Sequence, residues 1–283
     1  MKNILFFSCL FAFSLGLNSA APTQLQQTRA EIKKTMGLVP SFFDAYPQQA
    51  LPGAWDEMKG ILLNTQTAIP NKYKELIGLA VSAQIPCSYC VYFHTQFATL
   101  NGATEEQRKE AIAISALVRH WSTIANGNQL NYDQFIQQVD GILNYTQNPD
   151  KKVVDVQGQS PLYQEISMTL GQVPSFMQVF PKSGLQGAWD VMKTIELSNQ
   201  TSIEPKYKDL IGLGVSAQVP CEYCVYFHTA SAKANGATEQ EIQEAVAVGA
   251  LTRHWSTILN GAQTDMAQFR QEVKKVIKHV SKK

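Results

Sequence analysis

PCSYCVYFH, at residues 86–94, occurs again as PCEYCVYFH at residues 220–228, and the chain is organised around these two copies. Proline is tolerated at the first position of a helix, so we predict that a helix begins where this stretch begins. Cys87 then lies in the first turn, where the helix dipole favours a thiolate. Cys90 follows at i+3 and His94 four residues later, so one helix face presents two thiols and an imidazole. Together these groups can perform redox chemistry.

The composition is that of an ordinary globular chain. It has 283 residues, of which 45% are apolar and 17% charged, and its net charge is +1. Such a chain can bury a sizeable core. The sequence contains neither a basic patch nor a run of like charges, so we expect no nucleic-acid partner and no membrane partner.

Residues 1–21 have the features of a secretory signal peptide. Lys2 supplies the positive start, an apolar run too short to span a bilayer follows, and small residues near Ala21 offer a cleavage site. We therefore expect export, with a Gram-negative periplasm as the first choice. No later stretch is long and apolar enough to predict a transmembrane helix.

Four of the five cysteines form the two Cys-x-x-Cys pairs, and the fifth, Cys9, lies in the predicted signal peptide. An exported protein meets an oxidising environment, so each pair can exist as a disulfide. A disulfide between residues i and i+3 closes a very short loop and removes little entropy from the unfolded chain. This favours a redox role for the cysteines over a stabilising cross-link. A structural disulfide is the second interpretation and a metal site the third. Four thiolates could bind zinc, but the two pairs are much farther apart in sequence than is usual for such sites, so we expect no metal and no cofactor.

The two halves of the chain are copies of each other. A constant offset of 134 residues aligns them without a gap, and 39 of the 57 positions between 71–127 and 205–261 are identical. Upstream, GLVPSF at 37–42 matches GQVPSF at 171–176. The sequence therefore predicts a tandem duplication.

Each half is predicted to be helical, because no stretch alternates apolar and polar residues in the way a strand does. Thr104 and Gln107 form a capping box that predicts the start of a long helix ending near Asn126-Gly127. The predicted helices of the first half are 25–36, a short helix from Pro40, 52–63, 73–83, 86–100, 104–127 and 128–143. We predict an all-α protein of two tandem, pseudo-symmetric helical bundles, with a signal peptide at 1–21, repeats at 22–143 and 163–283, and a linker at 144–162.

Acidic residues stand twelve positions before each cysteine pair, Glu75 in the first half and Asp209 in the second. The spacing between this acid and the cysteine pair does not favour either of two interpretations. Such an acid could end a surface helix, paired with Lys72 or Lys74, or it could orient the histidine that follows the cysteines. For His94 we favour a functional base over a core histidine, because a base beside a thiol assists thiolate formation.

Another pair of histidines, His120 and His254, stands in Arg-His-Trp on the long helices. We interpret these two as parts of a helix-packing cluster.

The pattern Glu75-x11-Cys87-x2-Cys90-x3-His94, with a downstream Asn-Gly, resembles the alkylhydroperoxidase (AhpD-like) branch of the carboxymuconolactone decarboxylase superfamily. The Gly-x-Val-Pro-Ser-Phe stretch is similar to the same superfamily, and the resemblance covers both repeats. It implies an AhpD-like helical fold and a peroxidase or disulfide reductase activity.

The resemblance also implies roles for these residues. Cys90 would attack the peroxide, Cys87 would close the disulfide, and Glu75 and His94 would relay the proton. In the second half the same roles would fall on Cys224, Cys221, Asp209 and His228.

Two features of the sequence bear on these roles. The helix dipole alone favours Cys87 as the more acidic thiol, whereas the resemblance assigns the attack to Cys90. In the second half Asp209 is one methylene shorter than glutamate, and Glu222 beside Cys221 disfavours the thiolate. We therefore expect the first half to be the better peroxidase.

Our first hypothesis is an exported, thiol-dependent peroxidase that acts on a small peroxide and is reset by an unknown thiol reductant. The alternatives are a general disulfide oxidoreductase, a lactone decarboxylase of the same superfamily, and a non-catalytic helical protein with structural disulfides. Decarboxylation does not need a cysteine pair, so two intact pairs argue against it. The internal duplication is compatible with a homo-oligomer that reuses the same surface.

Overall fold

The structure is a computed structural model that describes residues 21–148 and 155–282. Within these ranges all regular structure is helical, which confirms the all-α prediction. The helices of the first half are α1 (Gln24–Met36), α2 (Leu51–Met58), α3 (Asn71–Gln84), α4 (Ser88–Leu100), α5 (Glu105–Gly127) and α6 (Tyr132–Gln147). Those of the second half are α7 (Pro161–Leu170), α8 (Ser175–Gln178), α9 (Lys182–Val191), α10 (Pro205–Gln218), α11 (Glu222–Ala234), α12 (Glu239–Gly261) and α13 (Met266–Val280). The predicted signal peptide lies outside the described residues, apart from Ala21, as does the middle of the predicted linker.

The signals for the long helices act as predicted. The Thr104 hydroxyl accepts the Gln107 backbone N–H, and the Gln107 side chain accepts the Thr104 N–H. Thr238 and Glu241 form the same reciprocal pair at the start of α12. Each pair satisfies two backbone N–H groups that a helix start would otherwise leave without partners.

The cysteine helix begins later than the sequence predicted. It starts at Ser88, and Cys87 is the N-cap residue, whose Sγ accepts the Cys90 N–H at 3.2 Å. Helix α3 continues to Gln84, so the chain must reverse before the next helix can start. The Cys87 N–H donates to Ser82 O at 3.0 Å and closes that turn. Cys87, which was predicted to lie inside the first turn of the helix, is therefore the residue that caps that turn.

The sixth helix also begins later than predicted, at Tyr132 instead of 128, because Asn131 caps it by accepting the Gln134 N–H at 2.8 Å.

The two halves are interleaved. Helices α3 and α10 pack against each other at the centre, where Tyr73 and Tyr207 stack with ring centroids 3.5 Å apart. Helices α5 and α6 of the first half pack against α11, while α12 and α13 of the second half pack against α4. Each cysteine helix is therefore covered by the last two helices of the other half.

Two buried carboxylates tie the halves together. Glu110 accepts hydrogen bonds from the Ser202 N–H and hydroxyl and from the Ile203 N–H, at 2.7–3.1 Å, and lies 3.4 Å from the Lys208 ammonium. Its counterpart Glu244 accepts the Ile69 N–H at 3.0 Å and lies 3.5 Å from Lys74. Charges buried in this way must be paired, because removal of one partner leaves the other without solvation.

A π-helical turn follows α2 and another follows α9, at Lys59–Leu63 and Met192–Glu196. Each is held by a buried lysine on the next helix. Lys74 donates to Ile61 O and Asn64 O at 3.0 and 2.6 Å, and Lys208 donates to Ile195 O and Ser198 O, both at 2.6 Å. Burial lowers the pKa of Lys74, although nearby Glu244 opposes the shift. Single π turns occur frequently at functional sites, and these two pack against the long helices of the opposite halves, α12 and α5.

Among the described helices, none combines the length and apolar character that crossing a membrane requires.

Candidate functional site: two disulfide cavities

A small cavity lies beside each cysteine pair. The first cavity, about 40 Å³, contains Cys90 and His94 of α4 in its wall. The opposite wall comes from the second half, through α12 residues Leu251, Thr252 and Trp255. The first cavity therefore exists only when the two halves are packed together.

The second cavity, about 60 Å³, repeats this arrangement in reverse. Cys224 and His228 of α11 line one side. Leu117, Val118 and Trp121 of α5, from the first half, line the other. The sequence analysis did not predict that these α5 residues close the cavity of the other half.

Both cysteine pairs form disulfides, Cys87–Cys90 and Cys221–Cys224. The two members of each pair have different surroundings. Cys90 and Cys224 line the cavities, whereas Cys87 and Cys221 are fully buried and cap the helices. The cavity-facing cysteine is the one that a small molecule in the cavity can reach.

In the first half Glu75 lies at the imidazole and not at a surface helix end. His94 Nδ1 and Glu75 Oε2 are 2.7 Å apart, and both residues are buried. A carboxylate at Nδ1 fixes the tautomer that leaves Nε2 available on the cavity side. Burial raises the pKa of Glu75, and the hydrogen bond with His94 opposes that shift.

The imidazole also has a neighbour from the other half. Thr252 Oγ1 lies 3.4 Å from His94 Nε2, and the same hydroxyl donates to Val248 O at 2.8 Å. Because the Thr252 hydroxyl proton is directed to Val248 O, the Thr252 oxygen can accept a hydrogen bond from a protonated His94 imidazole. The corresponding residue in the second cavity is Val118, which has no hydroxyl.

In the second half the shorter acid makes a weaker contact. Asp209 Oδ1 lies 3.4 Å from His228 Nδ1. Its other oxygen accepts hydrogen bonds from Ser231 Oγ and Asn235 Nδ2, both at 2.9 Å, which hold the carboxylate away from the ring.

The second cavity contains another acid, Glu196, which lies on the π turn at the position of Leu62 in the first half. Glu196 Oε1 is 3.6 Å from His228 Nδ1. Burial raises the pKa of Glu196, and the charge on His228 opposes the shift. Burial alone would lower the pKa of His228, but the hydrogen bond with Asp209 and the charge of Glu196 outweigh it and raise the pKa.

The eight predicted site residues thus form two groups: Glu75, Cys87, Cys90 and His94 around the first cavity, and Asp209, Cys221, Cys224 and His228 around the second. The sequence analysis did not identify Glu196 and Thr252. The signal that could have found them is the difference between the repeats, since each polar residue replaces an aliphatic one, Leu62 or Val118.

The Arg-His-Trp histidines lie among aromatic side chains, as expected for a packing cluster. His120 lies against Trp121 and Phe180, and His254 Nε2 lies 3.0 Å from the Tyr46 hydroxyl.

Comparison with known proteins gives matches in both halves. The family model for the carboxymuconolactone decarboxylase family matches residues 49–130 and 184–263, which together are more than half of the chain. An uncharacterised protein of Cupriavidus necator is 33% identical over 95 residues, which are 33% of this chain and 77% of that protein. A protein described as uncharacterised protein 4 in the cox locus of Paracoccus denitrificans is 36% identical over 62 residues, 22% of this chain and 56% of that one.

A solved structure is also similar. It is described as a candidate gamma-carboxymuconolactone decarboxylase subunit of Burkholderia xenovorans LB400, and it is 16% identical with a TM-score of 0.49. The match covers 86% of this chain and 94% of the other.

The two matched regions each include one cysteine pair with its histidine and acid, in agreement with the duplication and the helical fold. The chain therefore belongs to the carboxymuconolactone decarboxylase family, and it contains that family's domain twice.

Proposed function

We propose that this chain is a thiol-dependent peroxidase of the AhpD-like type, in which the two Cys-x-x-Cys pairs are the redox-active centres. The observation that supports this most strongly is the first cavity. There Cys90 and His94 share the wall of a cavity lined mainly by apolar side chains, and the buried Glu75 lies 2.7 Å from the imidazole. A thiol, a base and a carboxylate that orients the base are the groups that thiol-based peroxide reduction needs.

The reaction begins with the reduced pair. His94 takes the proton of the Cys90 thiol, and the thiolate attacks one oxygen of the peroxide ROOH. The O–O bond breaks, Cys90 becomes a sulfenic acid, and the leaving alkoxide takes a proton from the imidazolium to give ROH. Glu75 stabilises the imidazolium while that proton is on the ring.

Cys87 completes the cycle. Its thiol attacks the sulfenic sulfur of Cys90, a disulfide forms, and the hydroxyl leaves as water. The position of Cys87 at the helix N-cap favours its thiolate, because its sulfur already accepts the Cys90 N–H. The acidity that the dipole gives to Cys87 therefore suits the resolving thiol, and Cys90 keeps the cavity-facing position. An external dithiol reduces the disulfide and is itself oxidised.

The same steps in the second half would use Cys224, Cys221, His228 and Asp209. The Asp209–His228 contact of 3.4 Å supports a slower second centre. The proposal includes export, with the periplasm as the compartment, a small peroxide as substrate, an external thiol as reductant and possible self-association. We propose no nucleic-acid or membrane partner.

A general disulfide oxidoreductase is the second candidate, favoured by the closed state of both pairs. Such an enzyme would exchange its disulfide with external thiols without a peroxide step. The family description and the Burkholderia structure name a decarboxylase, but two intact dithiol pairs beside histidines support thiol chemistry instead.

The test is peroxide consumption by the reduced mature chain, with thiols counted before and after. We expect each peroxide consumed to remove two thiols, and the double variant Cys90→Ser/Cys224→Ser to lose the reaction. Each single variant reports on the remaining centre, so the two serve as matched controls for each other. If the reduced thiols resist peroxide but exchange with small disulfides, the oxidoreductase replaces the peroxidase. If they do neither, the disulfides are structural.

A further inference from the structure

The second cavity contains a group of side chains that the thiol chemistry does not require. Glu196, Asp209 and His228 each direct one ligand-type atom to a common place, and the three atoms lie within 4.8 Å of one another. The Nδ1 of His228 is 3.4 Å from Asp209 Oδ1 and 3.6 Å from Glu196 Oε1. Both distances exceed the usual N–H···O range of about 2.7–3.2 Å, so the hydrogen bond to Asp209 is weak and Glu196 makes only an ion-pair contact.

The spacing fits a small divalent cation. Zinc binds histidine nitrogen and carboxylate oxygen at about 2.0–2.2 Å, and tetrahedral geometry then separates neighbouring ligand atoms by roughly 3.4 Å. The two distances from His228 Nδ1, 3.4 and 3.6 Å, are close to that separation.

Glu196 gives independent support. Its side chain is only 7% exposed, it lines the cavity, and no donor in the described parts of the chain makes a hydrogen bond to its carboxylate. A buried carboxylate that lacks hydrogen bonds is costly, and its nearest charged neighbour, His228, is shared with Asp209. A divalent cation would satisfy both carboxylates at once.

The surroundings of the three atoms are ordered as in metal sites. The Oδ2 atom of Asp209 accepts hydrogen bonds from Ser231 and Asn235. Oδ1 therefore remains directed towards His228 Nδ1. Lys208 holds the carbonyls of Ile195 and Ser198 on both sides of Glu196 and so fixes the π turn. Outer hydrogen bonds of this kind orient the ligands of a metal.

From these observations we propose that Glu196, Asp209 and His228 bind one divalent cation of the zinc type, which prefers nitrogen and oxygen ligands in tetrahedral geometry. Glu196 and His228 also line the second cavity. Three protein ligands and one open position are typical of zinc sites that bind a small molecule or water. Because the cation occupies Nδ1 of His228, metal binding and the proposed Asp209–His228 relay exclude each other.

The first half provides the comparison within the same molecule. Its equivalent of Glu196 is Leu62, and Glu75 already contacts His94 at 2.7 Å. The first cavity lacks the second acid, and Glu75 already contacts the ring, so no three-ligand set forms there among the described residues. The expectation of no metal was based on the four thiolates alone. Glu196 was not considered because it lies far from the cysteine motif in the sequence.

The test uses the mature chain without a histidine tag and with both disulfides closed, so that thiols do not bind the metal. Isothermal titration with zinc should show one zinc per chain, and metal analysis after dialysis should find the same. Glu196→Gln and Asp209→Asn should each weaken binding about 100-fold or more, since loss of even an outer partner costs ~10–100-fold. Co²⁺ should give the visible absorption of a tetrahedral site, and Glu196→Gln should abolish it.

Glu75→Gln is the matched control, because it changes the corresponding acid of the first half and should leave the zinc stoichiometry unchanged. Glu196→Leu copies the first half and serves as a second variant if Glu196→Gln does not fold, which circular dichroism and a thermal melt would show. Failure of the chain to take up stoichiometric zinc, or equal binding by wild type, Glu196→Gln and Asp209→Asn, would overturn the proposal. The outcome does not depend on whether the thiols react with peroxide, because they stay oxidised throughout.

Discussion

The first and second cavities have the same cysteine motif and are closed by equivalent helices, α12 and α5, but their histidines have different partners. In the first, Glu75 lies 2.7 Å from His94, and Thr252 contacts the other ring nitrogen. In the second, Asp209 and Glu196 lie 3.4 and 3.6 Å from His228 Nδ1. Val118 replaces the threonine there.

This comparison shows where duplicated sites diverge. The stretch that contains the cysteines and histidine is nearly unchanged, and the differences fall on neighbouring elements: α3 or α10, the π turns, and the long helix of the other half. Substitutions at those positions alter the environment of the imidazole without altering the thiols. Five predictions test this description of the two halves, in decreasing order of effect.

The largest effect should come from Cys87→Ser in a chain whose second pair is replaced by Cys221→Ser and Cys224→Ser. Without a resolving thiol, Cys90 should react with one equivalent of peroxide and then stop as a sulfenic acid. Mass spectrometry after labelling with a sulfenic-acid reagent measures the product. Cys90→Ser in the same background should give no label. A labelled Cys87 in that control would reverse the assigned roles.

The second prediction concerns the buried links between the halves. Glu110→Ala should reduce the free energy of unfolding by about 3–5 kcal/mol, because Lys208 loses its buried partner. Glu244→Ala should cost about 1–2 kcal/mol less, since Glu244 accepts one hydrogen bond where Glu110 accepts three.

Urea denaturation with both disulfides closed measures the effects of both substitutions. Glu105→Ala, at an exposed ion pair with Lys109, is the control and should not change the midpoint. A two-step transition in Glu110→Ala would show that the halves unfold separately, contrary to the interleaved packing.

The third prediction is that Glu75→Gln slows peroxide reduction at the first centre by about 100-fold, the usual effect of losing one general acid–base partner. Asp209→Asn should have a smaller effect on the second centre because its contact is longer, 3.4 Å. Stopped-flow measurements in Cys224→Ser and Cys90→Ser backgrounds separate the two rates. Equal effects of Glu75→Gln and Asp209→Asn on the two rates would contradict the proposed difference between the centres.

Glu75→Gln also tests the effect of burial on stability. Burial raises the folded-state pKa of Glu75 above its ordinary value of 4.5, so the folded state favours the protonated acid. The stability that this proton contributes is complete below pH about 4.5 and is lost as the pH rises through the folded-state pKa. Glutamine does not titrate, so the variant should gain stability relative to wild type over that range. Denaturation at a series of pH values measures the difference, and a parallel pair of curves would contradict it.

The smallest effect should come from exchanging the residues of the long helices. Thr252→Val should slow the first centre by about three- to tenfold, the equivalent of one hydrogen bond of ~0.5–1.5 kcal/mol to the protonated imidazole. Val118→Thr should speed the second centre if its hydroxyl reaches His228. The two substitutions are matched in size, so a change in packing alone should slow both centres.

Much of the local structure was predictable. The capping boxes that begin with Thr104 and Thr238 predicted the starts of the long helices, and the internal repeat predicted two equivalent sites. Glu75 was ambiguous between a surface acid and a partner of His94, because helix spacing gives the face of a residue but not the element that packs against it. The start of the cysteine helix was wrong by two residues, since the bond from the Cys87 N–H to Ser82 O is a contact between helices.

Periodicity, spacing and identity along the chain were sufficient to predict the helical class, the duplication, the family and the two cysteine–histidine motifs. The packing of the helices could not be predicted in this way: the last two helices of each half cover the other half, so Thr252 contacts His94 and Val118 lies in the second cavity. It also brought Glu196 to His228, across a distance in sequence that no local pattern spans. The physical reason is that burial and charge pairing depend on which helix covers a site, and many packings are compatible with one helical pattern.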